Sequence, residues 1–347
     1  MCSSIQEINA KLSHDAYFSR PLAGAPTPIP GTKTPTCIHL SSNSDFPELS
    51  IVMPIHNQEE LIERVLDSIV EHTIGTYELI LIIDACSDAT EDVVLRWLER
   101  QGDSVNSICR SLIIQSLTPL FECSADNIGF TLARANYCLE IQADMIMTET
   151  GYNQSLLRPF QLRDDVIGVS GRSCSGLYGD RAVGRTGILI EHPYDPSLSA
   201  KTFYVHETCI RGPLMLDRRK LEALGFLDEQ NFFLDNSDHD LFARAWHQHK
   251  WICGYVPINF ETRLADGSTR KKRDALNTFF LEQRKQRAGQ GFYHLHQSHY
   301  QPRQQSFISL VDGTQTFDKL SLKQRVKSAL RPIKAFITRT WKGFRSD

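Results

Sequence analysis

From Leu49 onward the apolar positions alternate between two patterns, short continuous runs and stretches of helical spacing. Leu49-Ser50-Ile51-Val52-Met53 is a run closed by Pro54. Leu61, Ile62, Val65, Leu66 and Ile69 then recur at the spacing of one helix face, opened by Asn57 with Glu60 three residues on and closed by Gly75. Leu79 to Ile83 is apolar throughout, as a strand covered on both faces must be, and ends on Asp84. Asp88 and Glu91 open a second helix that turns Val93, Val94, Trp97 and Leu98 inward. Leu112-Ile113-Ile114 predicts a third strand, Asn127 to Ala133 a short helix, and Tyr137 to Ile141 a strand carried on to Gln142, Ala143 and Asp144. Strands alternating with helices predict an α/β fold with a parallel, right-handed wound sheet.

The second half reads differently. Val166–Val169, Gly212–Leu216 and Trp251–Val256 predict strands, and Arg218–Leu224 and Asp238–His249 predict helices. The glycine- and arginine-rich run 171–187 predicts a mobile loop. Residues 1–48, broken by five prolines from Pro21 to Pro35, predict an extended arm. Residues 49–265 predict the folded domain, and 266–347 a basic loop followed by helix. Within 323–345 eight Lys or Arg and no acid flank an apolar stripe, the pattern of a basic amphipathic helix. Such a helix docks on its own domain, joins a second copy, or lies on an anionic membrane surface at its inner face.

Composition narrows this only modestly. The net charge of −3 gives no general push toward nucleic acid. Nine cysteines, an odd number without a C-x-x-C pair, argue against a disulfide framework and for a reducing compartment. The first residues carry no long apolar run, so a cytoplasmic location is expected.

Candidate chemistry lies at the strand ends. Asp84 and Asp144 follow apolar strands of one inferred sheet, and such ends converge on the crevice where open α/β sheets bind ligands. Asp238 and Asp240 open a later helix. Taken singly, each has a plain explanation as a turn residue or a helix cap. The first turn, Pro54-Ile55-His56-Asn57, holds no glycine-rich phosphate loop, which argues against a dinucleotide oxidoreductase or a P-loop kinase.

Five segments in order carry a resemblance: Leu49–Asn57, Ile82–Thr90, Asn127-Ile128-Gly129, Gln142-Ala143-Asp144, and Asp238-His239-Asp240-Leu241 with Arg244. Together they resemble family 2 glycosyltransferases over about residues 49–260. The resemblance implies a GT-A (Rossmann-like) fold, with a wound, mostly parallel central sheet, flanking helices and a helical C-terminal extension. It implies a nucleotide-sugar site at Pro54, Ile55, His56, Asp84, Asn127, Gln142 and Ala143, a divalent cation (Mn²⁺ or Mg²⁺) on Asp144, and a catalytic acid at Asp238, with Asp240 the next candidate. It implies an inverting transfer from a nucleotide-diphosphate sugar to a glycan or lipid-linked glycan of cell-surface polysaccharide or lipopolysaccharide.

The chain departs from the family pattern in two places. Gln142 stands where the paired-acid motif has its first acid, and Ser237 replaces the glutamate before Asp238. Those departures keep open a catalytically inactive nucleotide- or glycan-binding scaffold. A sugar-phosphate nucleotidyltransferase would share the sheet and cation but requires a glycine-rich signature after the first strand. A glycoside hydrolase would need two carboxylates flanking one bond and no nucleotide.

Overall fold

The computed structural model describes residues 4–13, 34–43, 45–101, 107–177, 181–185, 197–229, 231–232, 236–262 and 302–318. The elements, in chain order, are α1 (Ile5–Leu12), β1 (Thr36–Ser42), β2 (Leu49–Ile55), α2 (Ile62–His72), β3 (Tyr77–Asp84), α3 (Thr90–Gln101), β4 (Ile108–Ser116), α4 (Phe121–Leu132) and β5 (Tyr137–Glu140). There follow β6 (Met145–Met147), α5 (Tyr152–Leu162), β7 (Val166–Ser170), β8 (Ser173–Ser175), β9 (Val183–Gly184), β10 (Thr202–His206), β11 (Thr208–Cys209) and β12 (Leu214–Asp217). Last come α6 (Arg218–Ala223), α7 (Ser237–His249), β13 (Ile252–Tyr255), β14 (Phe260–Thr262), β15 (Ser306–Ser309) and β16 (Gln315–Phe317).

Eleven strands form one sheet in the order β1-β4-β3-β2-β5-β12-β7-β13-β10-β15-β16. The wound parallel part is β4-β3-β2-β5. Beyond β5 the sheet is antiparallel except for the β7–β13 pair. Helices cover both faces, and strand alternation feeds both cores. Ile51, Met53, Leu79 and Leu81 pack toward α2, α3 and α5, while Val52, Ile80 and Ile82 pack toward α1, α4, α6 and α7. α4 lies unusually close to β2. A Cβ on Gly129 would stand 2.2 Å from Val52 Cγ1, so only glycine lets the helix approach that far.

This topology fixes the position of the site. β3 and β4 lie to one side of β2, and β5 lies to the other, so the winding reverses between β2 and β5. The C-terminal ends of β2, β3, β5 and β7 share one edge, and β12 starts from that edge, with Leu214 opposite Glu140. Ligands of open α/β sheets bind at such a reversal.

Several expectations need correction. The arm is not merely extended. Ser4 caps α1 in a reciprocal box with Glu7, Ile8 and Leu12 are buried, and Asn9 Oδ1 accepts a bond from Cys37 N at 2.7 Å. β1 adds to the edge of β4, so the sheet begins before residue 49. The described C-terminal piece, 302–318, is strand rather than helix, and β15 pairs with β10. There Arg303 lies 4.2 Å over the Trp246 ring of α7, and its backbone N–H donates to buried Glu207. The 171–187 run holds β8 and β9 of a small second sheet with Ser173 and Cys174 fully buried, because its backbone finds partners in β11. The basic loop after residue 266 and the basic helix 323–345 lie outside the described residues. Among the described residues no helix is long and apolar enough to cross a membrane.

Candidate active site

The first two turns at the sheet edge are stitched together. Asn57 adopts a left-handed φ of 51° and accepts the Ser87 N–H on Oδ1 at 2.8 Å, rather than opening a helix. α2 therefore starts later, at Ile62. His56 donates its Nδ1 hydrogen to the Asp84 carbonyl at 2.6 Å. The Asp84 carboxylate accepts from the backbone N–H of Leu120 (2.6 Å) and Phe121 (2.9 Å), where α4 begins. A carboxylate at a helix start meets unpaired amides and the positive end of the dipole. Asp84 thus ties the β3 edge to α4, and any nucleobase contact would be additional to that duty.

One turn into α4 the charge thickens. Glu122, Asp126 and Glu140, the last residue of β5, each present an oxygen within 4.8 Å of the others. Arg211, in the connection between β11 and β12, is ion-paired to Glu122 at 2.8 Å and Asp126 at 2.7 Å, and donates to Ser237 Oγ at 3.1 Å. Gly212 N donates to Glu140 Oε2 at 2.7 Å. A Cβ on Gly212 would lie 2.8 Å from Gln142 Cδ, and its φ of +63° also favours glycine. Burial pushes the Glu140 carboxyl up from 4.5 to about 7, with Glu122 adding and Arg211 opposing. Asp126 is raised well above its ordinary value by burial, against the pull of Arg211. Burial alone would lower Arg211, but the carboxylates outweigh it and hold the guanidinium well above its usual range.

The expected site residues divide around this cluster. Gln142 joins it, donating Nε2 to Glu122 Oε1 at 2.6 Å. Asp144 sits in the turn between β5 and β6, past the strand end rather than on it. Arg172, following β7, lies in the fields of Glu122, Asp144, Glu140 and Asp238, and burial lowers its pKa. Asp238, in the first turn of α7, feels Arg211 in turn. Gln142 therefore reaches Arg211 through their shared partner Glu122, while Asp144 and Asp238 lie in the field of Arg172.

Other expected residues do not join them. Both Asn127 amide hydrogens go to the 227–229 segment, one to Leu227 O (2.9 Å) and one to Glu229 Oε2 (3.1 Å), while Oδ1 accepts from Leu227 N, so Asn127 braces a loop. Asp240 is bound to Arg244 at 2.8 Å, and Arg244 in turn holds Leu224 O and Phe226 O. Ile55 and Ala143 are buried in the core, and Pro54 is partly exposed. Ile55 and Ala143 could meet a ligand only through backbone.

Sequence reasoning missed Glu122, Asp126, Arg172 and Arg211 as site residues. A usable signal existed for Glu140, an acid inside the apolar run Tyr137–Ile141. A charge on a strand buried on both faces demands a partner.

The oxygen-only set of Glu122, Asp126 and Glu140 suits a hard divalent cation. Two of those carboxylates already hold Arg211, so a cation at the triad would share them with a guanidinium.

Glycosyl transferase family 2 matches residues 50–225, about half of the chain. The chain belongs to glycosyl transferase family 2. The matched span runs from β2 through α6, and so contains the reversal of the sheet, the acidic triad and both site arginines. No curated protein matches this family 2 chain in sequence. Among solved structures it is similar to TarS of S. aureus, at 13% identity and TM-score 0.45, covering 63% of this chain and 37% of that one. It is similar to the mannosyltransferase PcManGT from Pyrobaculum calidifontis, in complex with GDP-Man and Mn²⁺, at 15% identity and TM-score 0.46, covering 74% and 67%. It is also similar to GalNAc-T7 with UDP, GalNAc and Mn²⁺, at 14% identity and TM-score 0.47, covering 62% and 43%. The chain thus spans well under half the length of TarS.

Proposed function

We propose that this protein transfers a sugar from a nucleotide-diphosphate donor to an acceptor hydroxyl, with inversion. The observation that supports this most is that Gln142, through Glu122, and Asp238 are tied to Arg211 while Asp144 and Asp238 lie in the field of Arg172, at the edge where the family 2 sheet reverses. In this reading the nucleotide lies over the turns of Pro54, Ile55, His56 and Asp84, with Gln142 offering its amide to a ribose hydroxyl. Asp144 would hold a Mn²⁺ or Mg²⁺, which when bound offsets charge on the departing diphosphate. Arg172 adds fixed positive charge on the same side.

Asp238 takes the proton of the acceptor hydroxyl. The acceptor oxygen then bonds the anomeric carbon as the carbon–oxygen bond to the diphosphate breaks, and the nucleoside diphosphate leaves with that electron pair. Burial would push the Asp238 carboxyl up, but His239 and Arg211 outweigh it and hold the group below its ordinary range, so it is ionised at neutral pH. The acceptor we propose, a glycan or lipid-linked glycan of a cell-surface polysaccharide, rests on the family resemblance.

The test is release of nucleoside diphosphate from a panel of UDP- and GDP-sugars, with and without EDTA. Release by the parent, lowered by about 10²–10⁴-fold in Asp238→Asn, is expected for a positioned base. Parent-rate release by Asp238→Asn removes Asp238 from the mechanism. Binding without release from every donor supports the inactive, scaffold reading instead.

A further inference from the structure

The base is held by its own neighbour. Asp238 is the second residue of α7, and its carboxylate does not cap that helix. Two donors instead converge on a single oxygen. The His239 backbone N–H reaches Asp238 Oδ1 at 2.8 Å, and His239 Nδ1 reaches the same atom at 2.8 Å. A carboxylate oxygen facing a ring nitrogen at that distance fixes the tautomer, so Nδ1 carries the hydrogen. No hydrogen bond from the described residues reaches Oδ2. The two side chains remain 13% and 19% exposed, enough for a solute to approach.

We propose that His239 is the positioning residue of the base: its ring N–H pins Asp238 Oδ1, so that Oδ2 is the oxygen presented to the acceptor hydroxyl. This rests on Asp238 being the base. The backbone N–H is set by the helix, so the ring is the adjustable member of the pair. It halts rotation about Cβ–Cγ and selects one oxygen. Proton transfer is sensitive to such alignment, since misplacement of about 1 Å can cost on the order of 10²-fold in rate. The pair also has an electrostatic side. Among the described residues, the titratable groups coupled to Asp238 are His239 on its own helix, Arg211 from the β11–β12 connection, Arg172 after β7 and the Cys209 thiol of β11, which burial keeps neutral. Among the described residues, only His239 donates a hydrogen bond to the carboxylate. Burial opposes a charge on the ring, but Asp238 overrides it and raises His239 above 6.5.

Two variants separate alignment from bulk. Asn at 239 places an amide N–H at the branch position of Nδ1 without a charge, whereas Ala supplies no side-chain donor. With the most active UDP- or GDP-sugar of the panel, His239→Ala is expected to lower kcat about 10–100-fold with donor KM unchanged. His239→Asn is expected to recover most of that loss and to move the acidic limb of the kcat/KM profile to higher pH, because Asp238 loses a cation at its side. Parent kcat in His239→Ala, or His239→Asn performing no better than Ala, overturns the proposal.

A reading without turnover comes from NMR titration of the His239 ring in the parent and in Asp238→Asn. A titration midpoint above 6.5 that falls in Asp238→Asn supports the contact. Identical midpoints in both proteins refute it. Should Asp238→Asn turn over at the parent rate, the base assignment itself fails; should Asp238→Asn be inactive while His239→Ala is unimpaired, only the positioning role fails.

Discussion

The same sheet buries a carboxylate at each of its two edges, and the two are treated in opposite ways. At the edge where β3 begins, Glu78 is fully buried and balanced. Ser50 Oγ and Arg134 N donate to its Oε1, Arg110 Nη1 donates to its Oε2, and Arg110 is itself buried. One acid meets one guanidinium, and both oxygens have donors. At the edge where β5 ends, Glu122 and Asp126 are both ion-paired to Arg211, Glu140 lies in the fields of Arg211 and Arg172, and among the described residues Glu140 Oε1 has no hydrogen-bond partner. Asp144 and Asp238 add further negative charge nearby. The first edge is finished as structure. The second gathers more acids than guanidiniums in a poorly hydrated place, and burial raises Asp126 and Glu140 toward their neutral forms. Uncompensated buried charge is costly, and perturbed acids gather at functional sites for that reason.

Removing one arginine from each edge tests the contrast most severely. Arg110→Met and Arg211→Met each leave a buried carboxylate unpaired, and each is expected to cost about 3–5 kcal/mol in denaturant unfolding. Their folded fractions should differ: Arg110→Met retains the parent kcat, and Arg211→Met does not. Equal kcat in the two folded fractions would erase the distinction.

The surplus edge should also show itself in pH dependence. Glu140 has a folded value of about 7 against an ordinary 4.5, so it binds a proton more tightly when folded. Its favourable contribution is full below 4.5 and is lost as pH rises through about 7. In metal-free buffer Glu140→Gln should therefore flatten the stability profile across that window and unfold later than the parent at pH 8. An unchanged slope would remove Glu140 from the imbalance.

Within α7 the contrast recurs on a smaller scale. Asp240→Asn loosens the Arg244 clamp on residues 224–226 and should cost about 1–3 kcal/mol of stability with little change in kcat, the reverse of Asp238→Asn. The smallest effect is expected from Asp84→Asn. It keeps one acceptor at the start of α4 but loses the charge, for about 0.3–1 kcal/mol by thermal unfolding.

Most of the architecture could be read from the pattern of apolar residues, because each buried strand and each one-sided helix writes its period into the chain. β3, apolar from Leu79 to Ile83, and α2, with its face of Ile62, Val65, Leu66 and Ile69, are examples. β8 and β9 could not be read, since a few residues of glycine and arginine look alike whether or not they find a partner. The same applies to 306–317, whose strand character comes from pairing with β10 rather than from its own sequence. In the site, the acids at turns and helix starts stood out. Asp238 was read as the catalytic acid with Asp240 the next candidate, and the bond to Arg244 one turn on shows Asp240 bracing the helix. Arg211 gave no local sign, because its partners come from α4, nearly ninety positions earlier in the chain.

The joining of β15 to β10 has a practical outcome for anyone shortening this protein. The family match stops at residue 225, yet the last strands of the sheet and the guanidinium resting on Trp246 come from beyond residue 300. A fragment trimmed to the match would lose β13 and so expose the flank of β7, and one ending at 262 would leave β10 with a bare row of amides and carbonyls. Such flanks seek strands from other molecules. Soluble, monodisperse material should therefore require carrying the chain through Phe317.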